Sequence, residues 1–283
     1  MEERIKLIKE NKSVALLAPT FCIDFKYPAI IGMLKELGFD EVTELTYGAR
    51  MVNWAYEQYI KENPKQEYFI ASPCPTVVSF VQARYPELVK YLVPVVSPLV
   101  AMAKIYRKHN PSHRIVFISP CLAKKVLEAP RYKECIDDVI TLQELSQTFS
   151  EQGIKEEDFD KDYHFDSFIR EYTKIYPISG GLAASSHISK FFEEGEVLVA
   201  DGIGNIEDAL KDIKNKRSKY RFFDFLNCDG GCVGGPSINN RGLRTEEKKR
   251  KVLEYTTKSS VDSMGEHKGT VEHAEDVDLK RIF

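Results

Sequence analysis

The amino-acid sequence predicts an α/β protein: two lobes of mainly parallel sheet flanked by helices. Three observations carry that expectation. Apolar, β-branched runs alternate with segments of helical periodicity along the 283 residues, the pattern of strand–helix–strand units. Several of those runs stop at a cluster of Pro, Ser and Cys, where a strand ladder cannot continue. The chain is also long enough to bury one large core or two modest ones.

Taken in order, "SVALLAP" (residues 13–19) is a continuous apolar run closed by Pro19, the first strand. "YPAIIGMLKELG" (27–38) spaces its apolar residues helically and ends on Gly38, a helix stop signal. "MVNWAYEQYIKE" (51–62) is the next helix, with Trp54 and its aromatic neighbours expected in the core. "EYFIASP" (67–73) is the second strand; "TVVSFVQARYPELVKYL" (76–92) and "PLVAMAKIYRKH" (98–109) are helical. "IVFISP" (115–120) and "DVITL" (138–142) are strands, and "LQELSQTFSEQG" (142–153) a helix. Residues 150–175 are polar and aromatic and are expected to form a surface excursion between lobes. "EVLVADGI" (196–203) is the last strand; its "DGIGN" end lacks the full dinucleotide fingerprint and reads as a turn. From Thr245 the chain is a charged helix, "TEEKKRKVLEYTTKSS", then a polar tail with His267 and His273, expected to be solvated. The expected organisation is a binding domain over 1–244, its lobes dividing near 95–110 and again near 175–195, followed by the helix and tail over 245–283.

Composition removes several function classes. A hydrophobic content of 43% with 29% charged residues is ordinary for a globular protein. A net charge of −3 leaves no electrostatic footprint for nucleic acid. The longest apolar stretches contain prolines and are too short for a bilayer, so no membrane partner is expected. The start, "MEERIKLIKENK", has no signal-peptide core, which points to the cytoplasm. In such a reducing compartment six cysteines suggest metal ligation, redox chemistry or packing rather than disulfides.

The cysteines sit at distinctive places. "FIASPCPTVV" (69–78) holds Cys74 between Pro73 and Pro75 at the end of a strand. "ISPCLAKK" (118–125) repeats Ser-Pro-Cys at Cys121, followed by Lys124, a charge that suits a thiolate. "NCDGGCVGGP" (227–236) places Cys228 and Cys232 among glycines, which let the backbone approach a bulky group closely. The strand ends at Pro19, Cys74 and Cys121 are where an open α/β sheet binds ligands. Four thiols from three rigid turns match the number that one [4Fe–4S] cubane needs. Zinc also accepts four cysteines, but its usual paired CxxC knuckles are missing. Cys22 and Cys135 read as packing or surface thiols, and no histidine has metal-site spacing.

"ASPCP", "SPCLAKKVLE" and "CDGGCVGGP", in this order, resemble the three signature segments of the [FeFe]-hydrogenase catalytic domain. "LLAPTF", "ARYPELVKYL" followed by Ser97–Pro98, and "SGGLAAS" fit the same family, so the resemblance spans roughly residues 12 to 256. It implies an H-cluster held between the lobes of the 1–244 domain. Cys74, Cys121 and Cys228 would ligate a [4Fe–4S] cubane. Cys232 would bridge to a diiron subcluster carrying CO, cyanide and a dithiolate bridge. Lys124 is implied as the contact of one cyanide, Pro19 and Thr20 of the other, with Ser72 in the same cofactor-binding set.

The departures from the family pattern matter as much. Pro73 stands where a catalytic relative keeps its proton-donating cysteine. Tyr56 and Tyr59 take the places of two relay glutamates, with Glu57 a substitute under a one-residue shift. Val93 falls at the relay serine, and Ser119 at a methionine that packs against the bridging CO. Proton transfer needs groups of suitable pKa within hydrogen-bond reach, so the resemblance implies cluster binding with slow hydrogen turnover. That profile is similar to the sensory branch of this anaerobic family. Its implied partners are hydrogen and protons, an external electron carrier such as ferredoxin, hydrogenase maturation proteins and a signalling partner. The alternative is a non-catalytic [4Fe–4S] protein similar to the iron–sulfur assembly factors of the same fold.

Overall fold

The computed structural model describes residues 1–159, 163–167, 171–240, 242–259 and 271–283. In chain order its strands are β1 (Ser13–Leu17), β2 (Glu41–Glu44), β3 (Phe69–Ile70), β4 (Arg114–Ser119), β5 (Asp138–Thr141), β6 (Val197–Asp201) and β7 (Phe222–Leu226). The helices are α1 (Glu2–Glu10), α2 (Ala29–Leu37), α3 (Thr46–Glu62), α4 (Pro75–Arg84), α5 (Pro98–His109), α6 (Leu142–Gln152), α7 (Gly181–Ser185), α8 (Ile203–Lys214) and α9 (Thr245–Lys258). One sheet has the order β2-β1-β4-β5 and the other β3-β7-β6. All their pairings are parallel. The α/β expectation with two sheets holds.

Strand β1 shows why these runs become parallel strands. All five of its residues are buried, because helices cover both faces of the sheet and the sequence need not alternate. Each such Val or Leu contributes about 1.5–3 kcal/mol. One apolar cluster then joins the two sheets: Val14 and Leu16 of β1, Phe117 of β4, Phe69 of β3 and Phe222 of β7 share it with α3 and α5. Close packing of α3 on α5 depends on Gly48. A Cβ there would lie 2.5 Å from the Pro98 carbonyl and 2.7 Å from Met102 Cβ. Helix α6 starts at a capping box, Thr141 with Glu144, and ends at Gly153 with φ 69°, a left-handed position suited to glycine.

Several expectations change. β2 and β7 were not legible as strands, nor α1 and α8 as helices. The stretch 76–92 is not one helix: α4 stops at Arg84 and a short 3-10 turn covers Pro86–Tyr91, because Pro86 disfavours helical backbone at Tyr85. Trp54 is 40% exposed rather than core. Within 150–175 the chain returns inward, burying Phe165, Thr173 and Lys174. The tail is not simply solvated. Leu279 and Arg281 are buried, and the tail adds an antiparallel bridge, Val95 to Lys280. Val96 N–H donates to the Leu279 carbonyl (2.9 Å) and Arg281 N–H to that of Pro94 (3.0 Å), using the free edge of the 94–96 segment. His267 lies outside the described residues. Among the described residues no helix is long and apolar enough to cross a membrane.

Candidate metal centre

Both sheets aim their carboxyl ends at one cavity. Past β1 comes Pro19, past β4 Cys121, past β3 Cys74 and past β7 Cys228, and all four residues line it. Cys232 and Lys124 complete the set. The cavity leaves about 110 Å³ of room for the centres of water-sized molecules.

Each cysteine is fixed by its own turn. Cys74 is the N-cap residue of α4, with Pro75 as the first helical residue, where the missing N–H costs nothing. Cys121 follows β4, and Ser119 shapes its turn. The Ser119 hydroxyl donates to the Cys121 carbonyl and accepts from the Cys121 N–H, both at 3.0 Å. Cys228 and Cys232 flank a tight glycine turn. At Gly231 φ is 93°, and a Cβ would lie 2.6 Å from the Pro177 carbonyl. The closest neighbours of this glycine are therefore the chain's own 177–179 segment.

The thiols sense one another. Burial and then the charges of Cys121, Cys74 and Cys228 push the Cys232 thiol far up. Burial and the Cys121 and Cys74 charges raise Cys228 to about 11. Burial raises Cys121 as well, partly offset by backbone hydrogen bonding and the Lys124 charge. Yet among the described residues no three His, Cys, Asp or Glu side chains could hold a single metal ion. Four thiols lining one cavity match the ligand number of a [4Fe–4S] cubane. Cys22 and Cys135 stand apart from the cavity lining. Burial raises both thiols, Cys135 to about 12.

Beside the thiols, Lys124 begins a single π-helical turn, Lys124–Glu128. Its ammonium donates to the Pro73 carbonyl (3.0 Å) and to Glu128 Oε2 (2.5 Å), leaving one of its three donors on a side chain that lines the cavity. Glu128 is fully buried. Burial alone would raise its carboxyl, but Lys124 and Arg281 hold it below the usual range. Also on the lining, Thr20 Oγ1 and Tyr176 Oη are buried without a hydrogen-bond partner. An unpartnered buried hydroxyl costs about 1–3 kcal/mol, so both are placed to meet a polar ligand.

The other predicted positions distribute unevenly. Pro19, Thr20, Pro73 and Lys124 line the cavity, whereas Ser72 and Ser119 are absent from its lining. Ser72 lies behind the Cys74 turn, where its hydroxyl donates to the Val93 and Val95 carbonyls (2.6 and 3.0 Å) and meets the Tyr56 hydroxyl (2.9 Å). Burial raises the Tyr56 phenol to about 12. Glu57 is absent from the lining and accepts from the His187 N–H (3.1 Å). Val93 is buried. Glu128, Tyr176 and Arg281 escaped the sequence reading. Only Glu128 carried a signal, four residues after Lys124 on a helical pattern.

The family profile described as "Iron only hydrogenase large subunit, C-terminal domain" matches residues 11–236. The chain belongs to the iron-only hydrogenase family. The cofactor of this family is the H-cluster, a [4Fe–4S] cubane with a diiron subcluster. The chain is 27% identical to iron hydrogenase 1 of Clostridium pasteurianum over 271 residues, 77% of this chain and 47% of that protein. It is 25% identical to the periplasmic [Fe] hydrogenase large subunit of Nitratidesulfovibrio vulgaris, over 73% of this chain and 61% of that one. A third similar protein is the cytosolic Fe–S cluster assembly factor NAR1 of Encephalitozoon cuniculi, 26% identical over 200 residues, 64% of this chain and 55% of that protein. The iron-only hydrogenase domain described here thus spans about half to three-fifths of the length of these relatives. Among solved structures, the [FeFe]-hydrogenase HydA1 of Chlamydomonas reinhardtii, variant E144A, gives a TM-score of 0.69 at 17% identity. That alignment covers 96% of this chain and 94% of the other. HydA(deltaEFG), solved in a study of stepwise H-cluster assembly, gives 0.70 at 18%. These two likenesses establish the fold.

Proposed function

We propose that this iron-only hydrogenase domain holds an H-cluster and turns hydrogen over slowly, as a hydrogen or redox sensor. Cys74, Cys121 and Cys228 would hold the cubane, and Cys232 would carry the diiron subcluster. When bound, that subcluster supplies the iron at which dihydrogen is split or formed. Lys124 would orient it through its remaining N–H, and Thr20 through its unpartnered hydroxyl, because hydrogen bonds from outside the ligand set fix such a group.

The observation that carries the slow reading is Pro73 on the cavity wall, in line with Cys74. Proline offers neither a titratable group nor an N–H. The hydroxyls behind it, Tyr56 and Ser72, are locked to each other and to the Val93 and Val95 carbonyls. With a phenol near 12 this pair is a poor proton carrier at neutral pH. Electron exchange would then fall to an external carrier of ferredoxin type, diiron insertion to maturation proteins, and output to a signalling partner. The free cysteines suit a reducing cytoplasm.

A second reading, a non-catalytic [4Fe–4S] protein, draws on the likeness to NAR1. Infrared spectroscopy after reconstitution with the diiron unit separates the two. CO and cyanide bands are expected for the sensor; a full complement of cubane iron without those bands would favour the second reading. Pro73→Cys then tests the proton argument. The exchange is expected to raise hydrogen evolution about 10²-fold or more, the usual contribution of a positioned acid. No gain would show that proton supply is not limiting.

A further inference from the structure

The network that holds Lys124 on the cavity lining is completed by Arg281. Arg281 is 3% exposed. Its Nη2 donates to Glu128 Oε1 and its Nη1 to the Ser72 carbonyl. Glu128 Oε2 is taken by Lys124 (2.5 Å) and by the Ser97 hydroxyl (2.8 Å). Two cations therefore share one buried carboxylate, each on its own oxygen. The same two cations hold successive carbonyls of the Cys74 turn: Arg281 that of Ser72, Lys124 that of Pro73.

We propose that Arg281 is a positioning residue for Lys124, and that docking of residues 278–283 and ordering of the cofactor cradle are one coupled event. Without the guanidinium, Glu128 Oε1 is open to the lysine. Lys124 would then sit across both oxygens and turn its remaining donor from the cavity. A planar fork spans two acceptors at a fixed separation, which a single ammonium cannot do. The tail is seated by more than this fork. The Val96–Leu279 and Pro94–Arg281 backbone bonds pair it with the segment whose Val93 and Val95 carbonyls accept from Ser72. Tail, 93–96 segment and Cys74 turn are thus laminated in that order. Coupling between two sites is reciprocal: a ligand that needs Lys124 held in place must tighten the tail as much as the tail tightens the ligand.

The cyanide part of this inference rests on the H-cluster reading; the tail coupling does not. The first test needs no variant. Amide exchange at Val96 and Arg281 is measured on the full chain in the metal-free, cubane-loaded and H-cluster-loaded states. Loading is expected to slow exchange at both amides about 5–150-fold, the range of ordinary site coupling. Unchanged exchange on loading overturns the coupling. In the second test, Arg281→Gln is expected to keep cubane iron, shift a cyanide infrared band and speed tail exchange, with Arg281→Lys recovering part of each effect. Coincident cyanide bands in the Arg281→Gln and parent proteins overturn the positioning role. Absence of all CO and cyanide bands in the parent would instead sink the H-cluster reading, leaving the exchange comparison with the cubane alone to decide the coupling.

Discussion

Behind Lys124 on the cavity lining, Glu128, Ser97 and Arg281 join it in one satisfied network that also holds two turn carbonyls. Elsewhere on the lining, Thr20 Oγ1 and Tyr176 Oη are buried and unpartnered, and Asp224, whose charge Tyr176 feels, accepts one backbone bond, from Ala183 (3.1 Å). The first group is ordered before any ligand arrives, since a fully satisfied polar network is rigid. The second stores unmade hydrogen bonds that a ligand's own polar groups can claim. Preorganisation and unmet demand thus meet in one site, and substitutions in the two groups should behave oppositely.

The largest effect is expected at the thiols that both groups serve. Changing Cys74, Cys121 or Cys228 to Ser should abolish cubane absorption and reduce bound iron to background, while Cys22→Ser and Cys135→Ser keep both. Iron retained in any of the first three would remove that thiol from the ligand set. Next comes the satisfied network. Glu128→Ala strands two buried cations and should cost about 3–5 kcal/mol in urea denaturation of the metal-free protein. A loss below about 1 kcal/mol would mean the network is solvated and the contrast false.

Asp224 offers a pH signature. Burial raises its carboxyl from 3.8 to about 6, partly offset by the Ala183 N–H. The folded state therefore keeps a proton that the unfolded chain releases near 3.8. Its stability falls as pH climbs between these values and is level above them, a total of about 3 kcal/mol. Asp224→Asn has no such titration. The variant's stability relative to the parent should rise by about 3 kcal/mol between pH 3.5 and 7, measured by denaturation at each pH. The smallest effect belongs to Thr20→Val, which removes an unpaired hydroxyl and should stabilise the metal-free protein by about 1 kcal/mol. Destabilisation there would show the hydroxyl already bonded.

The convergence of the four thiols was legible because Pro and Gly punctuate the three strand-end turns that carry them. Strands that are continuous apolar runs, such as β1 and β4, were legible for the same local reason. β2 was not, since "EVTE" has a single apolar residue, Val42, among two glutamates and a threonine, and β7 places Asp224 among phenylalanines. The 76–92 stretch shows apolar periodicity outrunning a proline that the local sequence already displayed. Ser72 and Ser119 enter as cofactor neighbours through the family resemblance; their hydroxyls bond within the turns that carry Cys74 and Cys121. Arg281 had no local signal at all. Its role depends on a contact 153 positions away with Glu128, which no window of sequence displays.

The strand ends themselves have a mechanical consequence. Cys121 stands at the tip of one sheet and Cys74 and Cys228 at the tips of the other. Whatever all three thiols grip becomes a rivet through two separately hydrogen-bonded halves. With the proposed cubane in place, removing its iron should take away one link between the sheets and leave the apolar cluster that already joins them.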